Sequence, residues 1–105
     1  MNSARLEQLL KFKDETPDDP FVLYALALEY KSTEPERSRR LFDQLLREHP
    51  DYLATYYQVA QFKEETDQKG EALKLYKMGI EVAKQQNNQA ALRELQAAFN
   101  LLMEE

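Results

Sequence analysis

Apolar side chains recur at spacings of three and four along almost the whole chain, and the recurrence breaks where proline or paired Asp/Asn residues occur. That period places them on one face of an α-helix. Residues 3–13 put Leu6, Leu9, Leu10 and Phe12 on such a face. After Thr16-Pro17-Asp18, Asp19 reads as an N-cap and Pro20 as the first residue of the next helix. This helix, over 20–31, carries Leu23, Leu26, Ala27 and Tyr30 on one stripe. In the turn that follows, Thr33 is expected to cap a third helix, with Pro35 in its first turn and Glu36 completing a capping box. Over 35–48 that helix presents Leu41, Phe42, Leu45 and Leu46 before His49-Pro50 ends it. Asp51 is expected to cap a fourth helix, to about Glu65, with Tyr52, Tyr56, Val59, Ala60 and Phe62 inward. Thr66 or Asp67 is expected to cap a fifth, to about Gln85, with Ala72, Leu75, Tyr76, Gly79, Ile80 and Val82 inward. Asn87-Asn88 breaks the chain, and residues 89–103 form a last helix with Leu92, Leu95, Phe99 and Leu102. No stretch reads as a strand. The predicted class is all-α, about six helices whose short connections make neighbours antiparallel.

Two of these helices share a pattern. Leu23-x-x-Leu26-Ala27 and Tyr56-x-x-Val59-Ala60 both read large, large, small, and they stand 33 positions apart. The helices after them read Ser38-x-x-x-Phe42-x-x-Leu45 and Ala72-x-x-x-Tyr76-x-x-Gly79, with the aromatic residues 34 positions apart. Glu15-Thr16-Pro17-Asp18 likewise returns as Glu48-His49-Pro50-Asp51 after 33 residues. Period and pattern resemble the tetratricopeptide repeat (TPR) family in its small bacterial form, whose repeat is ~34 residues long with a proline at its close.

The resemblance implies antiparallel helix pairs in a solenoid, a TPR-like superhelix, forming a single domain over 1–105. Residues 3–13 would be an N-terminal capping half-repeat, 20–48 the first repeat, 51–85 the second, and 89–103 a C-terminal capping helix. The residue missing from the 33-residue spacing is expected in the Ser32–Glu36 turn. Arg5 and Gln96 occupy positions that are usually small so that two helices can approach closely. Each lies in a half-repeat with no such partner, so both are expected to face water. The total is near the ~3 repeats needed for a continuous core.

Composition narrows the function. A chain of 105 residues supports one compact domain with a core. With 31% charged and 43% hydrophobic residues and only 2 Gly and 4 Pro, it suits amphipathic helices rather than a many-stranded sheet. The net charge of −5 argues against nucleic acid as the main partner, because phosphate neutralisation needs a basic surface. There is no cysteine, hence no disulfide, thiolate nucleophile or Cys-ligated metal. The opening residues have charges instead of an apolar signal core, and no run approaches ~20 apolar residues. The chain is expected to be cytoplasmic, with no membrane partner.

Candidate chemistry is sparse. His49 stands alone at a helix C-terminus, where the macrodipole favours a cation, and it has no second His or Cys with which to hold zinc. The acidic run over 14–19 lacks the glycine and ligand spacing of a calcium loop. No Gly-rich phosphate loop, nucleophile elbow or His–Ser constellation is present. The reading is of a protein that is not an enzyme and takes no metal or cofactor.

The resemblance also implies a binding surface, because first helices of TPR repeats line a concave groove. The positions that point into it fall here on Phe21, Tyr24, Leu28 and Lys31 of the second helix. On the fourth helix they fall on Ala54, Tyr57, Gln58, Gln61 and Glu64, and on the last on Ala90, Arg93, Glu94, Ala97 and Asn100, with Leu101 nearby. Phe21, Tyr24, Leu28 and Tyr57 would be the apolar anchors, and Lys31, Gln58, Gln61, Arg93 and Asn100 the polar contacts. In the alternative, residues 3–13 shift to cover Phe21 and Leu28. Some chaperone-docking relatives clamp a partner's C-terminal carboxylate with Lys, Asn and Arg, but the matching places hold Tyr24, Leu28 and Gln58, and only Arg93 fits. A peptide or helix anchored by apolar or aromatic side chains is the expected partner. The alternatives are a homo-oligomerising scaffold, with a second copy as partner, and a non-catalytic regulatory subunit.

Overall fold

Proline sets where two of the helices begin. In the computed structural model, which describes residues 3–105, α1 (Ser3–Glu15) is followed by α2 (Pro20–Tyr30) and α3 (Pro35–Glu48), then α4 (Ala54–Glu65), α5 (Lys69–Gln85) and α6 (Gln89–Met103). The first two residues of the expected 1–105 domain lie outside the described ones. No strand occurs among the described residues. The helices form two compact units, one ending at Tyr52 and one running from Leu53 to Glu105.

In the first unit, Asp19 caps α2 as expected, its carboxylate accepting from the Phe21 N–H at 3.0 Å, with Pro20 in the first turn. Four of the residues assigned to the α2 stripe, Leu23, Leu26, Ala27 and Tyr30, are buried. They face α3, which buries Ser38, Leu41, Phe42 and Leu45. Contacts run in opposite order along the two helices: Tyr30 meets Arg37, Ala27 meets Ser38, and Tyr24 meets Phe42. That order makes the pair antiparallel. Near the end of α2 the Lys31 N–H turns to Leu28 O, and Ala27 O accepts from the Ser38 hydroxyl at 2.6 Å. A buried hydroxyl at a small position thus serves a carbonyl at a helix end, where intrahelical partners run out.

Three caps differ from expectation. Glu34, not Thr33, is the N-cap of α3, and its side chain makes no capping bond. Pro35 fixes the first helical residue, so the cap is whichever residue precedes it. Asp51 does not cap α4. The chain makes a turn, with the Tyr52 N–H on His49 O, and α4 begins only after Leu53. Thr66 and Asp67 close α4 instead of opening α5, whose N-cap is Gln68. The Thr66 hydroxyl donates to Phe62 O, Asp67 adopts φ 61°, and the Gln68 N–H donates to Lys63 O at 2.8 Å. This is a Schellman closure, and Asp is among the few non-glycine residues that take the left-handed conformation readily. Asn87, at φ 54°, closes α5 the same way, with the Asn88 N–H on Ala83 O. The residue missing from the first repeat is also not in its turn. Between α2 and α3 stand residues 31–34, one more than the three between α4 and α5. The shortfall arises because α2 closes seven residues after Leu23, whereas α4 closes nine after Tyr56.

The second unit packs α5 against both α4 and α6. Tyr56, Val59, Ala60 and Phe62 of α4 and Ala72, Leu75, Tyr76, Gly79, Ile80 and Ala83 of α5 are buried. On α6, Leu95 and Leu102 are buried, while Leu92 and Phe99 are only half-buried. The sequence pattern puts Phe99 on the apolar stripe of α6. Its ring lies partly open with the Lys77 ammonium 5.8 Å from the centroid. The terminal helix α1 behaves similarly, burying Leu9 while Leu10 and Phe12 stay exposed. Among the described residues α1 packs mainly against α2 and α6 mainly against α5, and part of the apolar stripe of each is left uncovered. Arg5 and Gln96 are exposed, Arg5 pairing with Glu29 at 3.0 Å.

Thr55 is fully buried at the start of α4, and its hydroxyl has no hydrogen-bond partner among the described residues. An unmet buried hydroxyl costs about 1–3 kcal/mol. Thr55→Val removes the hydroxyl and keeps the β-branched shape, so it is expected to raise stability by about 1 kcal/mol in chemical denaturation.

Candidate functional site

Helix α2 carries four of the residues assigned to the binding surface. Phe21, Tyr24 and Leu28 follow the i, i+3, i+7 spacing that lines one helical stripe. Phe21 is 63% exposed and Leu28 39%, so α1 does not cover them. Tyr24 is half-buried: its ring meets Phe42 edge-on at 6.0 Å and Tyr52 at 5.6 Å. Burial of Tyr52 raises its phenol pKa, helped by Tyr24 and then by Asp19. Lys31, also half-buried, is the C-cap of α2. The face has aliphatic and aromatic surface but no nucleophile–base pair.

In the second unit, Tyr57, Gln58 and Gln61 project half-buried from α4. The Tyr57 ring stands edge-on to Tyr76 of α5, with centroids 6.0 Å apart. Asn88 sets the first turn of α6, its side chain accepting from the Ala91 N–H at 3.0 Å. From that helix Arg93 and Asn100 point outward, and the Asn100 carboxamide oxygen accepts from Gln96 at 3.1 Å.

A cleft of about 440 Å³ opens between α4 and α6, with Tyr76 contributed by α5. Tyr57, Gln61 and Glu64 line it from α4; Glu94, Ala97, Ala98, Leu101 and Leu102 line it from α6, with Glu105 beyond. Of the residues assigned to the binding surface, Tyr57 and Gln61 come together here, while Gln58, Arg93 and Asn100 are outside the lining. Glu64, Glu94 and Ala97 fall at positions that the repeat pattern assigns to a groove, with Leu101 near them. The sequence pattern puts Tyr76 and Leu102 on apolar stripes, and only the structure shows that they also border the cleft. The Tyr76 hydroxyl donates to the Glu64 carboxylate. Burial pushes the Tyr76 phenol well above its usual range, and the Glu64 hydrogen bond and charge push the same way. The phenol therefore stays a donor at any ordinary pH.

Two other clefts flank the helices. One of about 270 Å³ lies among Leu10, Lys13, Leu26, Tyr30, Arg37 and Leu41 of the first unit. The other, about 300 Å³, lies on the opposite side of α6 and is lined by Gly70, Leu73, Lys74, Lys77, Phe99 and Met103. Among the described residues no cluster of His, Asp and Glu could hold a metal ion, and no helix is long and apolar enough to cross a membrane.

No family model and no curated protein matches the chain. Solved structures do match. A solution structure of a tetratricopeptide repeat domain protein from Salinibacter ruber is 40% identical, with 82% of this chain and 88% of that one covered and a TM-score of 0.76. A crystal structure of a tetratricopeptide repeat domain protein from the same organism is 39% identical, covering 83% of this chain and 98% of that one, with a TM-score of 0.77. A solution structure of a protein from Bordetella parapertussis is 17% identical, covers 94% of this chain and 87% of that one, and has a TM-score of 0.77. At that identity the last likeness concerns the fold alone.

Proposed function

Because the chain belongs to the tetratricopeptide repeat family, we propose that it is a non-catalytic protein-interaction module that holds a peptide or helix of a partner protein on its first-type helices. Residues 20–48 and 51–85 are its two whole repeats, and 3–13 and 89–103 are its caps. The observation that carries this reading is the α4–α6 cleft, where an aromatic ring, a carboxamide and an apolar stretch of α6 share one open concavity. Such concave sites with a few placed polar groups are where ligands bury most of their surface. On the first unit, Phe21, Tyr24 and Leu28 supply a second apolar contact face beside Lys31.

Panning a random-peptide display library against the immobilised protein tests the reading. A few aromatic anchors usually carry most of the binding energy, so Tyr57→Ala is expected to weaken the selected peptides by about 2 kcal/mol, roughly 30-fold. Peptides that bind Tyr57→Ala and Tyr24→Ala as tightly as the wild type would refute it. A second copy of the chain is the competing occupant, favoured by the exposure of Leu101 and Met103 on α6. Light scattering across a concentration series distinguishes the two.

A further inference from the structure

The two clefts that flank α6 have opposite charge. Glu64, Glu94 and Glu105 border the α4–α6 cleft, and among the described residues lining it there is no lysine or arginine. Lys74 and Lys77 border the cleft on the other side. All three glutamates are exposed, and neither Glu64 nor Glu94 is held in an ion pair among the described residues. Tyr76 holds Glu64 against the wall of the cleft through its hydroxyl. One hydrogen bond leaves most of a carboxylate's acceptor capacity free, since its two oxygens offer about four lone-pair sites. Besides the carboxylates and the Gln61 carboxamide the lining is largely apolar: Ala97, Ala98 and the ring of Tyr57, with Leu101 69% exposed.

We propose that the α4–α6 cleft selects a basic amphipathic peptide, seating a leucine- or phenylalanine-sized side chain between Tyr57, Ala97 and Leu101 while a neighbouring lysine or arginine meets Glu94 and Glu64. The inference rests on the interaction-module reading above and adds the chemical class of the partner. Charge complementarity is the argument. An anionic or neutral polar segment laid in the cleft would set its groups against Glu64 and Glu94, which no lysine or arginine of the lining relieves, while the Lys69 ammonium sits on the Glu105 main-chain oxygen at 2.6 Å. Like-charge juxtaposition disfavours wrong partners. An exposed ion pair contributes little by itself. Selectivity therefore needs the apolar seat, which fixes the ligand where two carboxylates act on it together.

Fluorescence anisotropy on the full chain tests this with three labelled peptides of equal length and identical leucine spacing, their polar positions filled by lysine, glutamine or glutamate. The leucine–lysine peptide is expected to bind about tenfold more tightly than the leucine–glutamine peptide and more tightly still than the leucine–glutamate one. Raising the salt should narrow that gap, because exposed charges are screened. Glu94→Gln should weaken the leucine–lysine peptide about three- to fivefold, whereas Asp43→Asn, which removes the same charge from α3, should leave it unchanged. Leu101→Ala, at an exposed position, should weaken all three peptides. Equal affinity for the lysine and glutamate peptides overturns the inference, as does an equal response to Glu94→Gln and Asp43→Asn, which would reduce the effect to net charge. If all three bind equally yet Tyr57→Ala and Leu101→Ala still weaken them, the interaction reading stands and the basic-peptide inference falls. If neither variant affects any peptide, both fall. A dimer dissolved by Leu101→Ala and untouched by the peptides would make the second copy the occupant, and would overturn the inference too.

Discussion

Replacing Phe42 with alanine is expected to remove about 3–5 kcal/mol of stability, the range for deleting a buried aromatic ring. Phe42 is 1% exposed and lies between α2 and α3, where its ring also meets Tyr24 edge-on at 6.0 Å. The substitution therefore costs the transfer energy of the ring and the cavity that rigid neighbours leave unfilled. It also costs an aromatic pair contact worth about 0.5–1.5 kcal/mol. For a domain whose whole margin is about 5–15 kcal/mol, that is a large fraction. The melting temperature should fall by at least about 12 °C, read by circular dichroism. Tyr24→Ala should cost less, since that ring is half-open to water. A Phe42→Ala protein that melts near the wild-type temperature would mean the ring is not packed as described.

That contrast marks how far the sequence reaches. The stripe of Leu23, Leu26, Ala27 and Tyr30 and the small positions of the two repeats could be read directly, because periodicity reports which side chains share a face. Every residue of that α2 stripe is buried, as are Ala60, Ala72 and Gly79. Periodicity does not report what covers the face. Leu10, Phe12 and Phe99 have the right spacing, but they lie on parts of α1 and α6 that the main partner of each, α2 and α5, leaves uncovered. Caps were legible only where one residue type had one role. Asp19 before Pro20 has a single reading, whereas Asp67 can begin a helix or, in the left-handed conformation, end one. The choice between these was made by the bond from the Gln68 N–H to Lys63 O, which no local composition reveals.

The candidate surface divides in the same way. The repeat pattern offers large residues for a proposed binding face, and of these Phe21 and Leu28 are exposed. The inward lean of Tyr24 onto Phe42 and Tyr52, and of Tyr57 onto Tyr76, could not be read, because it depends on rotamers set by the neighbouring helix. The same limit hid the cleft. Tyr76 counts as core by its burial, yet its hydroxyl reaches Glu64 at the edge of the concavity. Nothing in a one-dimensional pattern says that a buried ring has a polar end facing a site.

The two glycines, both in α5, should respond in opposite directions to the same kind of change. Gly70 lies in the first turn, and a Cβ built there would have nothing within 4 Å. Neither glycine has a positive φ, so a side chain introduces no backbone strain at either position. Gly70→Ala is therefore expected to stabilise by about 0.5–1 kcal/mol, the helix-propensity gain alone. Gly79 lies where α5 contacts α4 on one side and α6 on the other. A Cβ there would stand 2.9 Å from the Tyr56 Cβ and 3.2 Å and 3.3 Å from the two methyl carbons of Leu95. The Leu95 methyls can rotate away, but the Tyr56 Cβ is fixed to the α4 backbone and moves only if the helix moves. Gly79→Leu would have to separate helices on both sides at once, so the overpacking cost, about 1–3 kcal/mol or more, exceeds the propensity gain of about 1 kcal/mol. Denaturant titration of Gly70→Ala, Gly79→Leu and an exposed control, Gln96→Leu, should order them as more stable, much less stable and nearly unchanged. Stabilisation by Gly79→Leu would mean that α4, α5 and α6 do not meet at this residue, and the register that places Gly79 at the small position of the second repeat would then be wrong.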